Sequence, residues 1–180
     1  MSRQARAHPL PNLLGNQLVW LAAVIGAGEG LAWAGPAAAA LFATWHLATV
    51  RPLWPDLRLV ALALACGLAL DALLVAGGWL RYATPAPALA ASPLWILALW
   101  LAFALTLRHG LAFLVNRQCL ALCLGAVGGP LAYLAAARGW NAVQLLPPGW
   151  LLLAIGWALA MWLLVRAATP APPPGREATA

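Results

Sequence analysis

Six apolar runs follow one another along the chain with only short connections between them. They extend from Leu13 to Gly28, Leu31 to Val50, Leu57 to Leu80, Leu94 to Val115, Leu120 to Ala137 and Trp150 to Val165. A membrane helix needs about 20 apolar residues. The pattern predicts an all-α, polytopic membrane helix bundle of about six transmembrane helices. The first two runs meet at Glu29-Gly30 and should form a tight hairpin. The longest connection, Arg81 to Pro93, is rich in Ala and Pro and too short for a domain. The expected division is a cytoplasmic segment over 1–12, a transmembrane domain over 13–166, and a Pro/Ala-rich, disordered cytoplasmic tail over 167–180.

Composition agrees. The chain is 64% hydrophobic and only 8% charged, against about a quarter charged in soluble domains. Four acids and ten bases cannot coat a globular surface, so lipid must be the solvent. All ten bases are arginine, which resembles a GC-rich bacterial codon bias. Their net charge of +6 is scattered between apolar runs as loop anchors, which argues against nucleic acid. With the N-terminus inside, seven arginines (Arg3, Arg6, Arg51, Arg58, Arg117, Arg166 and Arg176) face the cytoplasm. Two, Arg81 and Arg138, face outward. This positive-inside bias is expected to put both termini in the cytoplasm. The first run also resembles a signal peptide, but a multi-pass bundle has no need of cleavage.

Tryptophans Trp54, Trp79, Trp95, Trp140 and Trp150 fall near run ends, as interfacial rings do. Pro130 is expected to kink the fifth helix. Gly125 and Gly129, like Gly26 and Gly30, have small-xxx-small spacing for close helix approach. With Gly128 and Pro130 they mark a packing or kink site. Cys66, Cys119 and Cys123 are expected to be buried and unpaired, and Cys119 and Cys123 fit helix packing better than metal binding.

Ionisable and amide groups inside spans are the functional clue. Asp71 lies in the third span on a face with Gly67 and Gly78, pointing into the bundle, either protonated or meeting an arginine. Arg108 and His109 lie in the fourth, with Ala104, Arg108 and Ala112 on one small-residue face. Arg108 either snorkels or faces inward. His46 lies in the second span, and Asn16 and Gln17 in the first. By depth, Arg108, His109, His46, Asn16 and Gln17 should form an inner polar cluster. Asp71 and Glu29, with Arg81 or Arg138, should form a sparser outer one. A direct Asp71–Arg108 bridge is not expected, because their depths differ by roughly 10 Å by helix rise. No phosphate-binding loop, dinucleotide fingerprint or nucleophile elbow is present. His46 and His109 lack a local metal-ligand spacing, so neither metal nor cofactor is expected. Ser2 and Ser92 are the only serines, and neither is expected in a polar cluster.

Several blocks carry a resemblance: Asn16-Gln17-Leu18-Val19-Trp20 through Gly26 and Gly30, Asp71-Ala72-Leu73-Leu74, and Pro93-Leu94-Trp95 through Thr106-Leu107-Arg108-His109. Gly125-Ala126-Val127-Gly128-Gly129-Pro130-Leu131-Ala132-Tyr133 completes them. Over residues 12 to 165 the chain resembles family 2878 of the domains of unknown function, small bacterial inner-membrane proteins. The resemblance implies a plasma-membrane protein and no particular reaction; Arg108 departs from the polar uncharged residue the family more often carries there. Three functions remain open. One is an accessory or scaffold subunit of a membrane, lipid-related pathway. Another is a small transporter or lipid flippase using Asp71 and the inner cluster. The third is an intramembrane lipid-modifying enzyme with His46 or His109 as base and Arg108 on a phosphate. A non-enzyme is favoured. The expected partners are membrane lipids and, on the first reading, another membrane protein.

Overall fold

The computed structural model describes residues 8–83, 88–89 and 92–169. Six helices form: α1 (Pro9–Gly28), α2 (Ala34–Thr49), α3 (Trp54–Ala76), α4 (Leu94–Leu107), α5 (Gln118–Trp140) and α6 (Gly149–Ala168). Together they make an all-α bundle. Four of them, α1, α3, α5 and α6, are long and apolar enough to cross a membrane. Large apolar side chains cover the outside of the bundle: Leu41 is 74% exposed, and Leu131 and Leu151 are similarly bare. Water would penalise that surface, whereas lipid does not.

The short helix α4 is central. It packs against α1, α2, α3 and α6, and ten of its 14 residues are buried. Here the structure differs from the continuous fourth run. The helix stops at Leu107, with Arg108 as its C-terminal cap. A turn follows, and then a short 3-10 segment over Ala112–Leu114. Ala104, Arg108 and Ala112 therefore do not share a helix face. The backbone freed by this break is re-paired inside the protein, as membrane depth requires. His109 N–H donates to Thr106, and Gly110 N–H donates to the Asn12 side chain at 3.1 Å.

The α1–α2 hairpin forms as expected. Gly30 sits at φ +78°, and a Cβ on Gly26 would stand 2.7 Å from the Leu31 carbonyl oxygen and from the Ala34 Cβ. The pairing of α5 with α6 is the most extensive in the bundle. Gly125 and Gly129 make it possible, because a Cβ at either would strike Trp157. Gly128 faces open space instead. Pro130 is accommodated within one continuous helix.

Small strands also appear, which the apolar pattern did not predict. Strand β1 (Leu80–Tyr82) pairs antiparallel with β4 (Val143–Leu145), setting Arg81 opposite Gln144. Strand β2 (Ala88–Leu89) pairs with β3 (Ser92–Pro93). The β1–β4 ribbon ties together the ends where α3 and α5 finish. Helix α1 already begins at Pro9, and α6 runs to Ala168. The rest of the Pro-rich tail lies outside the described residues. Cys119 and Cys123 are exposed and Cys66 is half-buried, contrary to the expected burial; the first two lie on the outward side of α5.

Candidate functional site: a buried His–Asp–His–Arg centre

Three elements build the centre, in which three polar side chains converge on one carboxylate. Asp56 lies in the first turn of α3, just after Pro55. His46 lies in the last turn of α2. Arg108 and His109 lie where α4 breaks. Each charge suits its place: an acid at a helix start, bases at helix ends. Asp56 Oδ2 is 3.1 Å from His46 Nε2 and 3.1 Å from His109 Nε2. Asp56 Oδ1 accepts from Arg108 at 2.9 Å. The two imidazoles stand edge to face, with centroids 4.9 Å apart. His46 is 0%, Asp56 1% and His109 5% exposed, while the Arg108 side chain is 24% exposed.

A buried carboxylate is expensive unless it is paired and hydrogen-bonded. Asp56 has both: a cation on one oxygen and two donors on the other. Asp56 and Arg108 cancel in charge, so the centre is neutral with neutral imidazoles. The Nδ1 atoms of both histidines are buried without a hydrogen-bond partner among the described residues. One ring nitrogen from each of His46 and His109 and an Asp56 oxygen all lie within 4.8 Å of one another. Two imidazoles and a carboxylate are a donor set for zinc and other divalent first-row metals.

Part of the expected inner cluster is therefore assembled: His46, His109 and Arg108 do converge. Their focus is Asp56, which the apolar pattern does not single out because it stands at a run boundary rather than inside one. A usable signal was available, since Asp56 is one of only four acids in the chain. Asn16 and Gln17 do not join. Helix α1 turns the edge carrying Asn12, Val19 and Ala23 inward. It is Asn12, fully buried, that meets the α4 break, through Leu105 O at 3.4 Å and Gly110 N–H. Asn16 and Gln17 instead line a cavity of about 520 Å³ between α1, α4 and α5, with Gly125, Gly128 and Gly129 on its far wall.

Asp71 occupies a second, separate centre, 15 residues further along α3, roughly 22 Å by helix rise. It is fully buried, and Tyr133 donates to its Oδ1 at 3.4 Å. The hydroxyls of Tyr82 and Ser92 face the same carboxyl. Burial, above all, pushes the Tyr82 hydroxyl far above the ordinary phenol range, so Tyr82 stays neutral, and neither its hydroxyl nor that of Ser92 reaches a hydrogen-bond partner among the described residues. Ser92 is thus part of a polar cluster, contrary to the sequence expectation. Neither Glu29 nor an arginine pairs with Asp71 among the described residues. Gly78 is not on its face either, because α3 ends at Ala76 and Gly78 turns the chain at φ +72°. Gly67 does face inward, directly against the Trp100 ring.

An apolar-surfaced helical bundle with ionisable centres inside it defines a multi-pass membrane protein. Its family follows from comparison: residues 9–163 match the family described as protein of unknown function (DUF2878), and the chain belongs to it. Neither the curated proteins nor the solved structures give a match.

Proposed function

We propose that the chain is a bacterial inner-membrane protein with both termini cytoplasmic, and that it carries a divalent metal ion at His46, Asp56 and His109. In this reading it is a metal-dependent component of a membrane pathway. The observation that carries the reading is the convergence of two imidazole nitrogens and a carboxylate oxygen inside the bundle. The N···O edges of 3.1 Å are close to the edge of about 3.3 Å that metal–ligand bonds of about 2.0–2.1 Å make in a tetrahedron. Three protein ligands leave a coordination position open, the pattern of ions that polarise a substrate or water. Arg108 would hold the other carboxylate oxygen as an orienting neighbour of the ion. It is also the most exposed member of the centre.

A second reading keeps the centre as a hydrogen-bonded fastener in an accessory or scaffold subunit. The bare Nδ1 atoms favour it, since metal-bound imidazoles usually donate from that nitrogen. The transporter reading, with Asp71 and the inner cluster acting together, must cross the separation along α3.

The discriminating experiment is elemental analysis of the full chain purified in mild detergent after growth with added zinc. About one ion per chain, lost in Asp56→Asn and in His109→Gln while helical circular dichroism persists, supports the metal reading. Metal-free protein whose thermal melt is unmoved by zinc or by a chelator overturns it and leaves the fastener.

A further inference from the structure

Among the described residues, the face where α3 and α5 finish carries two arginines, Arg81 and Arg138. They are 57 residues apart in sequence (138 − 81). Both line one cavity of about 600 Å³, together with Asn141, Gln144, Leu134 and Trp150. The β1–β4 ribbon brings them together by placing Arg81 beside the end of α5, across from Gln144. Among the described residues, no acid lines the cavity. Neither guanidinium is ion-paired among the described residues. Arg138 by itself has a structural account, as a cation in the last turn of α5. Arg81, on an exposed strand position, has no such account.

We propose that this cavity binds the phosphate headgroup of an anionic phospholipid in the adjoining leaflet. Two guanidiniums and two amide side chains give donors for phosphate oxygens, and guanidinium geometry suits phosphate. The rest of the wall is apolar, which a soluble phosphate would not require. It continues toward the membrane interior: Leu131, one turn further along α5 from Leu134, is 57% exposed. Trp150, at the start of α6, is an interfacial ring on the same wall. The cavity thus offers charge at the headgroup level and an apolar track below it. Its occupant is independent of what His46, Asp56 and His109 hold.

The test is lipid binding by the full chain in zwitterionic nanodiscs doped with phosphatidylglycerol, read by native mass spectrometry or lipid-dependent melting. Phosphatidylcholine of the same chains and free inorganic phosphate are the comparison ligands. Phosphatidylglycerol should bind preferentially. Two arginines near a membrane surface are together worth about thirty-fold, so Arg81→Gln/Arg138→Gln should weaken that preference by about this factor. Each single variant should show about a five-fold loss, which keeps the test usable if the double variant folds poorly. Arg117→Gln, an exposed arginine at the opposite end of α5, should bind as wild type does. Equal binding of the two lipids, an unchanged preference in the variants, or saturation by inorganic phosphate alone would each overturn the proposal.

Discussion

Replacing Asp56 by Asn tests the ionic centre most directly. The substitution keeps the shape and removes the charge that Arg108, His46 and His109 all face. Removing one partner from a buried ion pair costs about 3–5 kcal/mol. Two features reduce that here. The Asn carbonyl can still accept from Arg108, and a neutral imidazole can change tautomer and accept from the new amide. Arg108 is also partly exposed, so its stranded charge can find solvent. A net loss of about 3 kcal/mol is the expected outcome. For a chain of 180 residues, 1 kcal/mol moves a melting temperature by about 2–4 °C. Asp56→Asn should therefore melt roughly 6–12 °C lower in detergent. The melt is a comparison at fixed scan rate, because membrane proteins often unfold irreversibly. Zinc separates the two readings of the centre. At about a hundred times its dissociation constant a bound ion adds about 2.7 kcal/mol, which would raise the wild-type melt and leave Asp56→Asn unmoved. If Asp56→Asn melts within about 2 °C of wild type, the carboxylate is not the focus of a buried ionic centre and the reasoning fails.

The glycines of α5 divide into two kinds. Gly125→Ala puts a Cβ 2.5 Å from the Trp157 carbonyl oxygen and should destabilise by about 1–3 kcal/mol, as overpacking does. Gly128→Ala meets open space and should be neutral or stabilise by up to about 1 kcal/mol through helix propensity; both are read as detergent melts. At the second centre, Asp71→Asn should be tolerated better than Asp71→Leu. The leucine leaves the Tyr133 hydroxyl buried without its acceptor, a loss of about 1–3 kcal/mol, and the order of the two melts checks it. Orientation is tested in a background with the three cysteines replaced by alanine. A membrane-impermeant maleimide should label Arg81→Cys in intact cells and Arg117→Cys only after permeabilisation; the reverse would overturn the arginine-based topology.

How much was legible in the sequence follows from what an apolar pattern encodes. It records where apolar helices lie along the chain, and each of the six helices overlaps its apolar run. His46, Arg108 and His109 were recognisable because an ionisable group in such a run needs a partner at its own depth. Rotation about the helix axis is recorded poorly, because lipid-facing and core-facing residues are both apolar. That is why the sequence does not distinguish Asn16 from Asn12, one turn away, which makes the contact. It is also why the pattern does not show that Cys119 and Cys123 face outward. The break after Leu107 was hidden for a related reason. Leu111, Phe113 and Leu114 keep the run apolar while the backbone leaves the helix. What holds the break is non-local: Asp56 pairs with Arg108 across 52 positions, and Asn12 caps Gly110 across 98. Four of the buried polar side chains among the described residues, Asn12, His46, Asp56 and His109, gather where this helix stops short. A centre that only closed the break would need Asn12 and one ion pair; the two histidines on the other carboxylate oxygen are the surplus that the metal reading accounts for.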